Sequence, residues 1–260
     1  LKNAGIAVHR DMPHVGENLQ DHLQLRMIFR VENARTLNQI ANSWLGKMSM
    51  GASYLWSRSG PLSMAPSQFG IFTKSSPEIE TPDLEYHIQP LSTDKLGDPL
   101  HPYPAVTVSV CNLRPDSRGS THISSDGPSA HPDISPRYLS ASRDIDVALR
   151  ALRQARELMT MPALKKYAPR EDLPGADIID DADLARAAGD IGTTIFHPVG
   201  TCRMGVDDAA VVDPQLRVRG VTGLRIVDAS IMPRIVSGNT ASPVVMIAEK
   251  AADMILRSAS

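Results

Sequence analysis

The stretch Thr194-Ile195-Phe196-His197-Pro198-Val199-Gly200-Thr201-Cys202-Arg203-Met204-Gly205 sets one histidine in a loop constrained by proline and glycine. A neutral imidazole, with an unperturbed pKa of about 6.5, accepts a proton near neutral pH. Pro198, Gly200 and Gly205 restrict or free the backbone in ways that let it approach a planar ligand closely. A structural histidine bonded to backbone satisfies the same residues equally well. The second stretch with chemical potential is Ile235-Val236-Ser237-Gly238-Asn239-Thr240-Ala241-Ser242-Pro243, at the entrance of a final amphipathic run. Asn239 or Thr240 there suits a helix N-cap, the commoner use of such residues. The amides of that helix start also offer partial positive charge to an electron-rich ligand atom.

Other constellations are weaker. His87, His101, His122 and His131 are scattered, and no HExxH, CxxC or Asp-x-Asp-x-Asp spacing accompanies them, so no metal site is expected. Cys202 beside Arg203 resembles an activated thiolate, but a small buried residue in a glycine-flanked loop fits it better. A GxSxG nucleophile elbow, a GxxxxGK[ST] phosphate loop and a GxGxxG fingerprint are all absent from the chain.

The elements that must position these residues follow from periodicity. Leu23, Leu25, Met27 and Phe29 alternate with Gln24, Arg26 and Arg30, which predicts a half-buried strand over 23–31. Leu37, Ile40, Trp44, Leu45, Met48 and Leu55 predict one or two helices over 37–56, broken by Gly46 and Gly51. Phe69 to Phe72 reads as an edge strand or a loop packed over a pocket. Strands are predicted over 83–89 and 105–113, with a shorter one at 121–124, together forming one antiparallel sheet. A strong helix is predicted over 143–164, with Ser142 or Asp144 as its cap, and a shorter one from Asp180–Asp183 toward Gly192. A closing helix over 241–256 is expected to bury Val244, Val245, Ile247, Ala248, Ala251 and Ile255. The class is α+β: an antiparallel sheet with helices packed on one face.

Composition narrows the function classes. The 260 residues are 42% hydrophobic and 22% charged, and Lys+Arg 27 against Asp+Glu 29 gives a formal charge of −2. Such a balance provides no general field for nucleic acid, and no nucleic-acid partner is expected. Two cysteines are too few for a disulfide framework. No apolar run reaches the roughly 18 residues of a bilayer span, so the expectation is a soluble chain, cytoplasmic or peripheral to a membrane. The opening Leu1-Lys2-Asn3-Ala4-Gly5-Ile6 reads as the last turn of a helix, so the chain is expected to be the back portion of a longer polypeptide.

Several blocks together resemble one family, the glucose–methanol–choline (GMC) oxidoreductases, which oxidise alcohols with FAD. They are Val15-Gly16-Glu17-Asn18-Leu19-Gln20-Asp21-His22, Ser117-Arg118-Gly119, His197 to Gly205, Leu224 to Pro233 and Ala248 to Asp253, in the family's order along nearly the whole chain. The choline-dehydrogenase-like branch is the nearest in character. The resemblance implies that His197 removes the alcohol proton while hydride leaves the substrate carbon for flavin N5, and that Asn239 completes the pair on the substrate oxygen. It implies FAD contacts at Asp228, Ala229, Thr240, Ala241 and Pro243. Relatives often carry Asn-x-Asn-Ala-Pro where this chain has Asn239-Thr240-Ala241-Ser242-Pro243, so one polar side chain is replaced at Ala241.

The partners so implied are an alcohol, an electron acceptor that is oxygen or a quinone-type carrier, and an N-terminal FAD-binding portion of the same protein. The implied organisation is a linker over 1–22, a substrate-binding portion over 23–210, and a segment over 211–260 that completes the missing FAD-binding α/β domain. Without the dinucleotide fingerprint, the 260 residues alone are expected neither to hold FAD tightly nor to turn over. A noncatalytic binding or assembly module, and a flavin lyase of the same family, are the alternatives.

Overall fold

The computed structural model describes all residues except Asn3, Ala4, Pro66, Leu96, Pro128 and Ser260. The middle of the Leu1–Ile6 turn therefore lies outside the described residues. Around it, Ile6 N–H donates to Leu1 O (3.1 Å), Gly5 N–H donates to Lys2 O (3.0 Å), and Gly5 has φ +73°.

The elements, in chain order, are β1 (Leu23–Arg30), α1 (Leu37–Asn42), α2 (Trp44–Ser57), β2 (Phe69–Thr73), β3 (Leu84–Gln89), β4 (Ala105–Asn112), β5 (Ser120–His122), β6 (Asp133–Ser135), α3 (Ser142–Met159), β7 (Arg170–Leu173), α4 (Asp181–Ile191), β8 (Gly192–Thr194) and α5 (Ala241–Ala259). They divide into two compact units. One holds Leu1–Leu23, Leu113–Asp144 and Thr194–Ser260, and the other holds Gln24–Asn112 and Ile145–Thr193. This division differs from the three consecutive segments expected from the sequence: residues 113–144 and 194–210 cluster with the chain's ends, because interleaved loops tie them there. Among the described residues no helix is long and apolar enough to cross a membrane.

The second unit is built on an antiparallel sheet of order β2-β3-β4-β1-β7, with β8 also paired to β1. In register, Leu25, Met27 and Phe29 of β1 oppose Val110, Val108 and Val106 of β4, and Tyr86 and Ile88 of β3 oppose Val110 and Val108. Since side chains alternate along a strand, these residues share one apolar face. Helix α3 packs on it, where the Tyr86 hydroxyl donates to Ala151 O (2.8 Å). Arg156 of α3 clamps Glu171 of β7 through two bonds of 2.8 and 2.9 Å. The opposite face carries Gln24, Arg26, Glu85, His87, Thr107, Ser109 and Cys111, and all of them are buried. The predicted half-buried strands are thus buried on both faces. On that face Thr107 Oγ1 donates to Leu91 O (2.7 Å), in the chain beyond β3.

Other expectations also need correcting. The short strand near 121–124 pairs with β6 in a separate two-stranded sheet rather than joining the main one. The strong helix stops at Met159, and a 3-10 turn over Pro162–Tyr167 follows, because proline cannot continue the ladder. Asp144 caps a neighbouring turn, accepting from Asp116 N (2.8 Å) and Ser117 N (2.7 Å). The helices over 37–56 divide at Ser43, which accepts from Gly46 N, and not at the glycines. Much of their apolar pattern is outward, with Trp44 71%, Leu45 68% and Leu55 76% exposed. Asp180 does cap α4, accepting from Ala182 N and Asp183 N. In α5 the buried stripe is Val244, Ile247, Ala251 and Met254, while Val245, Ala248 and Ile255 are exposed. Spacings of three and four place the first set on one line of the helix and displace the second.

The first unit has its own core, formed by Val199, Val211, Val212, Leu216, Val218, Ile231, Met232, Ile235, Ile247 and Ala251. Its 203–207 corner is closed by a two-pronged ion pair, with Arg203 Nη1 donating to Asp207 Oδ2 (3.0 Å) and Nη2 to Oδ1 (2.5 Å). These bonds pull the Asp207 pKa from 3.8 down to about 2. A carboxylate lowered in the folded state contributes stability above its unfolded value and loses it as pH falls through the folded one. Acid unfolding should therefore show a component between about pH 4 and pH 2 that Asp207→Asn flattens. Circular dichroism against pH measures it, and the effect is small because the pair is largely solvated.

Candidate active site

The first unit gathers three sequence stretches that are far apart in the chain. Gln20 is 2% exposed; its Nε2 donates to Pro233 O (3.2 Å) and its Oε1 accepts from Ile235 N (3.2 Å). Gln20 also forms a backbone pair with Val199, N–H to O at 3.0 Å and the reverse at 2.9 Å. The 15–22, 194–205 and 228–240 stretches are thereby tied to one another. Glycine is required at the crossing: Gly200 has φ +95°, and a Cβ there would lie 2.6 Å from Asn18 O. Gly16, at φ +88°, would place a Cβ 2.1 Å from Thr121 O.

Asp21 organises the loop around His197. It is 7% exposed, and its Oδ1 accepts from His22 N and His197 N, both at 2.9 Å. Its Oδ2 accepts from the Tyr138 hydroxyl (2.5 Å) and from Thr194 Oγ1 (2.5 Å). Four donors occupy the four lone-pair directions of a carboxylate. Burial, followed by the hydrogen bond to Asp21, pushes the Tyr138 pKa up, so this hydroxyl stays a donor. Thr194 Oγ1 also accepts from Phe196 N (2.9 Å), and Phe196 sits in the left-handed region at φ +63°. A bulky residue there costs about 1 kcal/mol or more. The Asp21 bonds on either side hold the turn that presents His197.

His197 is half-buried, and its Nδ1 lies 3.1 Å from Nδ1 of His22. The two rings meet edge to face, with centroids 5.4 Å apart and planes at 82°. His22 is fully buried, and its Nε2 contacts Leu113 O at 3.2 Å. A loop histidine held in this way has a fixed ring plane.

The remaining expected residues fall as follows. Asn239 is exposed and Thr240 is 8% exposed; Thr240 O accepts from Val244 N (3.0 Å), which makes Thr240 the residue at the start of α5. Ala241 is the exposed first residue of α5, and Pro243 is half-buried in its first turn. Asp228 caps the short turn Ala229–Ile231 by accepting from Ser230 N (2.8 Å). Ala229 O accepts from Gly200 N (3.3 Å), which brings the 228–229 and 197–205 stretches into contact. Cys202 is half-buried against the core, and burial raises its pKa, so it is not activated as a thiolate. Among the described residues, no three His, Cys, Asp or Glu side chains gather in a way that could hold a metal ion.

The second unit contains two features that need a chemical reading. Ser92, His101 and Asp94 form a hydrogen-bonded chain, with Ser92 Oγ 3.0 Å from His101 Nδ1 and His101 Nε2 3.1 Å from Asp94 Oδ1. Ser92 is 0% exposed and also accepts from Asn38 Nδ2 (3.0 Å), so no substrate can reach the hydroxyl and the chain is structural. The polar sheet face differs, because His87 Nε2 and Ser109 Oγ are buried without a hydrogen-bond partner among the described residues. His87 and Ser109 are directly paired in register, and His87 Nε2 lies 3.4 Å from Glu85 Oε1 without the angle of a hydrogen bond. Leaving such atoms unpaired costs about 1–3 kcal/mol each, which a polar ligand could offset. A cavity of about 950 Å³ opens instead over the apolar face, lined by Val31, Phe69, Ile71, Ile88, Leu158 and Met159 among others. None of the sequence-predicted site residues lines it.

Sequence reasoning singles out His197 as a candidate but not its neighbours. Asp21 and His22 lie inside the quoted Val15–His22 block, and adjacent acid and base residues after a glycine turn are the available signal. Glu85 and His87 alternate with apolar residues along β3, a pattern that does not mark them as buried.

Comparison with known proteins follows the same blocks. The family model for the GMC oxidoreductase C-terminal region matches residues 115–248, more than half of the chain. The chain belongs to the GMC oxidoreductase family. Within that family it is 41% identical, over 258 residues, to a protein named alcohol dehydrogenase [acceptor] from Pseudomonas putida, covering 99% of this chain and 47% of that protein. It is 38% identical over 255 residues to an oxygen-dependent choline dehydrogenase from Klebsiella pneumoniae, covering 98% of this chain and 46% of that one. Among solved structures, a formate oxidase from Aspergillus oryzae, described in connection with FAD modification, superposes with TM-score 0.90 at 25% identity over 99% of this chain and 50% of that one. The chain thus spans about half the length of the relatives it matches.

Proposed function

We propose that this chain is the catalytic, C-terminal half of an FAD-dependent enzyme that oxidises an alcohol to an aldehyde or ketone, with His197 as the base. The observation that carries this reading is the imidazole of His197, clamped at its backbone by Asp21 and at its ring by His22. An alcohol is a poor hydride donor until its oxygen gains negative charge, so a fixed base at that oxygen lowers the barrier. The carboxamide of Asn239 has no basicity at neutral pH and serves to orient the same oxygen by hydrogen bonding.

The donor set suits the proposed cofactor. Helix α5 runs for 19 residues from Ala241, and its first-turn amides, beside Thr240 and Pro243, offer positive charge to the electron-rich edge of a flavin. Asp228 and Ala229 are the residues proposed along the ribityl–pyrophosphate portion. When bound, FAD supplies the two-electron acceptor for the hydride that leaves the substrate carbon. Reoxidation is assigned to oxygen or a quinone-type carrier. The names of the relatives favour an alcohol as substrate, with choline one option.

The test is anaerobic mixing of the full-length protein with aliphatic, aromatic and amino alcohols. At least one should bleach the flavin absorbance, whereas the 260 residues, mixed with excess FAD and then separated from unbound FAD, should carry no flavin absorbance. A full-length flavin that no alcohol reduces, or product accumulating beyond one equivalent per flavin in the absence of an added acceptor, would overturn the reading.

A further inference from the structure

The contact between the two histidines determines where the protons lie. His22 Nε2 faces Leu113 O at 3.2 Å, and a carbonyl oxygen only accepts, so Nε2 carries the hydrogen. Full burial of His22 disfavours a charged ring. Asp21, the adjacent carboxylate, has its oxygens engaged by His22 N, His197 N, the Tyr138 hydroxyl and Thr194 Oγ1. In a neutral imidazole protonated at Nε2, Nδ1 is an acceptor. The 3.1 Å contact then requires a hydrogen on Nδ1 of His197. Neutral His197 protonated at Nδ1 carries its lone pair on Nε2, the form that takes a proton.

We propose that His22 is a positioning residue that holds His197 in its Nδ1–H tautomer and so keeps Nε2 as the proton acceptor. The proposal rests on the reading of His197 as the base. Asp21 supports it by pinning both backbones, since Ile195 N also donates to His22 O (3.3 Å) and the 195–197 turn wraps around residues 21–22. In solution an isolated imidazole exchanges between tautomers, and the wrong one presents a donor to the alcohol hydrogen. A partner that only accepts at Nδ1 removes that loss.

The test uses the full-length flavoprotein with 15N-labelled histidine, and His197→Ala to assign the His197 resonances. Long-range 1H–15N spectra separate protonated from unprotonated ring nitrogens. The expected wild-type result is a protonated Nδ1 and an unprotonated Nε2 on His197; the reverse overturns the proposal with no variant of His22 needed. His22→Leu should lower kcat by at least about tenfold with KM little changed, and should mix the His197 tautomers. His22→Asn, whose Oδ1 accepts near the former Nδ1 position, should recover most of the loss and restore the tautomer. Equal losses in the Leu and Asn variants, or an unchanged kcat in His22→Leu, overturn it. Turnover retained by His197→Ala instead overturns the base assignment, and the wild-type spectrum still decides the tautomer.

Discussion

His197→Ala in the full-length protein is expected to slow alcohol-driven flavin reduction by about 10²–10⁴-fold, the range for removing a positioned general base. Flavin content should stay close to wild type. The proposed FAD contacts lie at Asp228, Ala229 and the start of α5, and Asp228 already has a separate structural partner in Ser230 N. The loss should fall on kcat and on kcat/KM together, because proton removal is felt in the transition state more than in the bound alcohol. Since the His197 backbone amide is held by Asp21, alanine at 197 keeps that bond and should fold normally. Stopped-flow reduction under anaerobic conditions measures the rate. A variant reduced as fast as wild type would remove His197 from the chemistry.

Asp21→Ala should be the most damaging single change to stability in the first unit, at about 3–5 kcal/mol. Four donors lose a charged acceptor at once, and two of them are the amides of His22 and His197, which sit beside buried or half-buried rings. The hydroxyls of Tyr138 and Thr194 can rotate toward other acceptors, so the total stays below four separate charged bonds. Tyr138→Phe, which removes only one of the four, should cost about 1–2 kcal/mol. Urea unfolding of the full-length protein compares the two. Asp21→Ala unfolding within about 1 kcal/mol of wild type would show that the clamp is not a main support. Turnover should fall in the same variant, because the turn that carries Phe196 at positive φ loses its anchor.

The separation between what was legible and what was not follows physical range. Strands β1, β3 and β4 and helices α3, α4 and α5 are visible in the sequence because period-2 and period-3.6 burial are local properties. Strands β6, β7 and β8 are three or four residues long, too short for any period to register. The polar residues of β3 and β4 alternate as a solvent face would, and only the folded chain shows that they are buried. The site divides likewise. His197 stands out by its proline and glycine neighbours, whereas the partnership of His22 with it spans 175 residues.

By itself, then, the sequence determined the family, the α+β class, the candidate base and the glycines that its loops require, because each of these is written in residue type and short spacing. Only the tertiary structure decided that Asp21 and His22 contact His197, that the sheet is buried on both faces, and that the chain's ends fold with residues 113–144. These are contacts between distant segments, set by chain reversal and hydrogen-bond geometry rather than by any pattern along the chain.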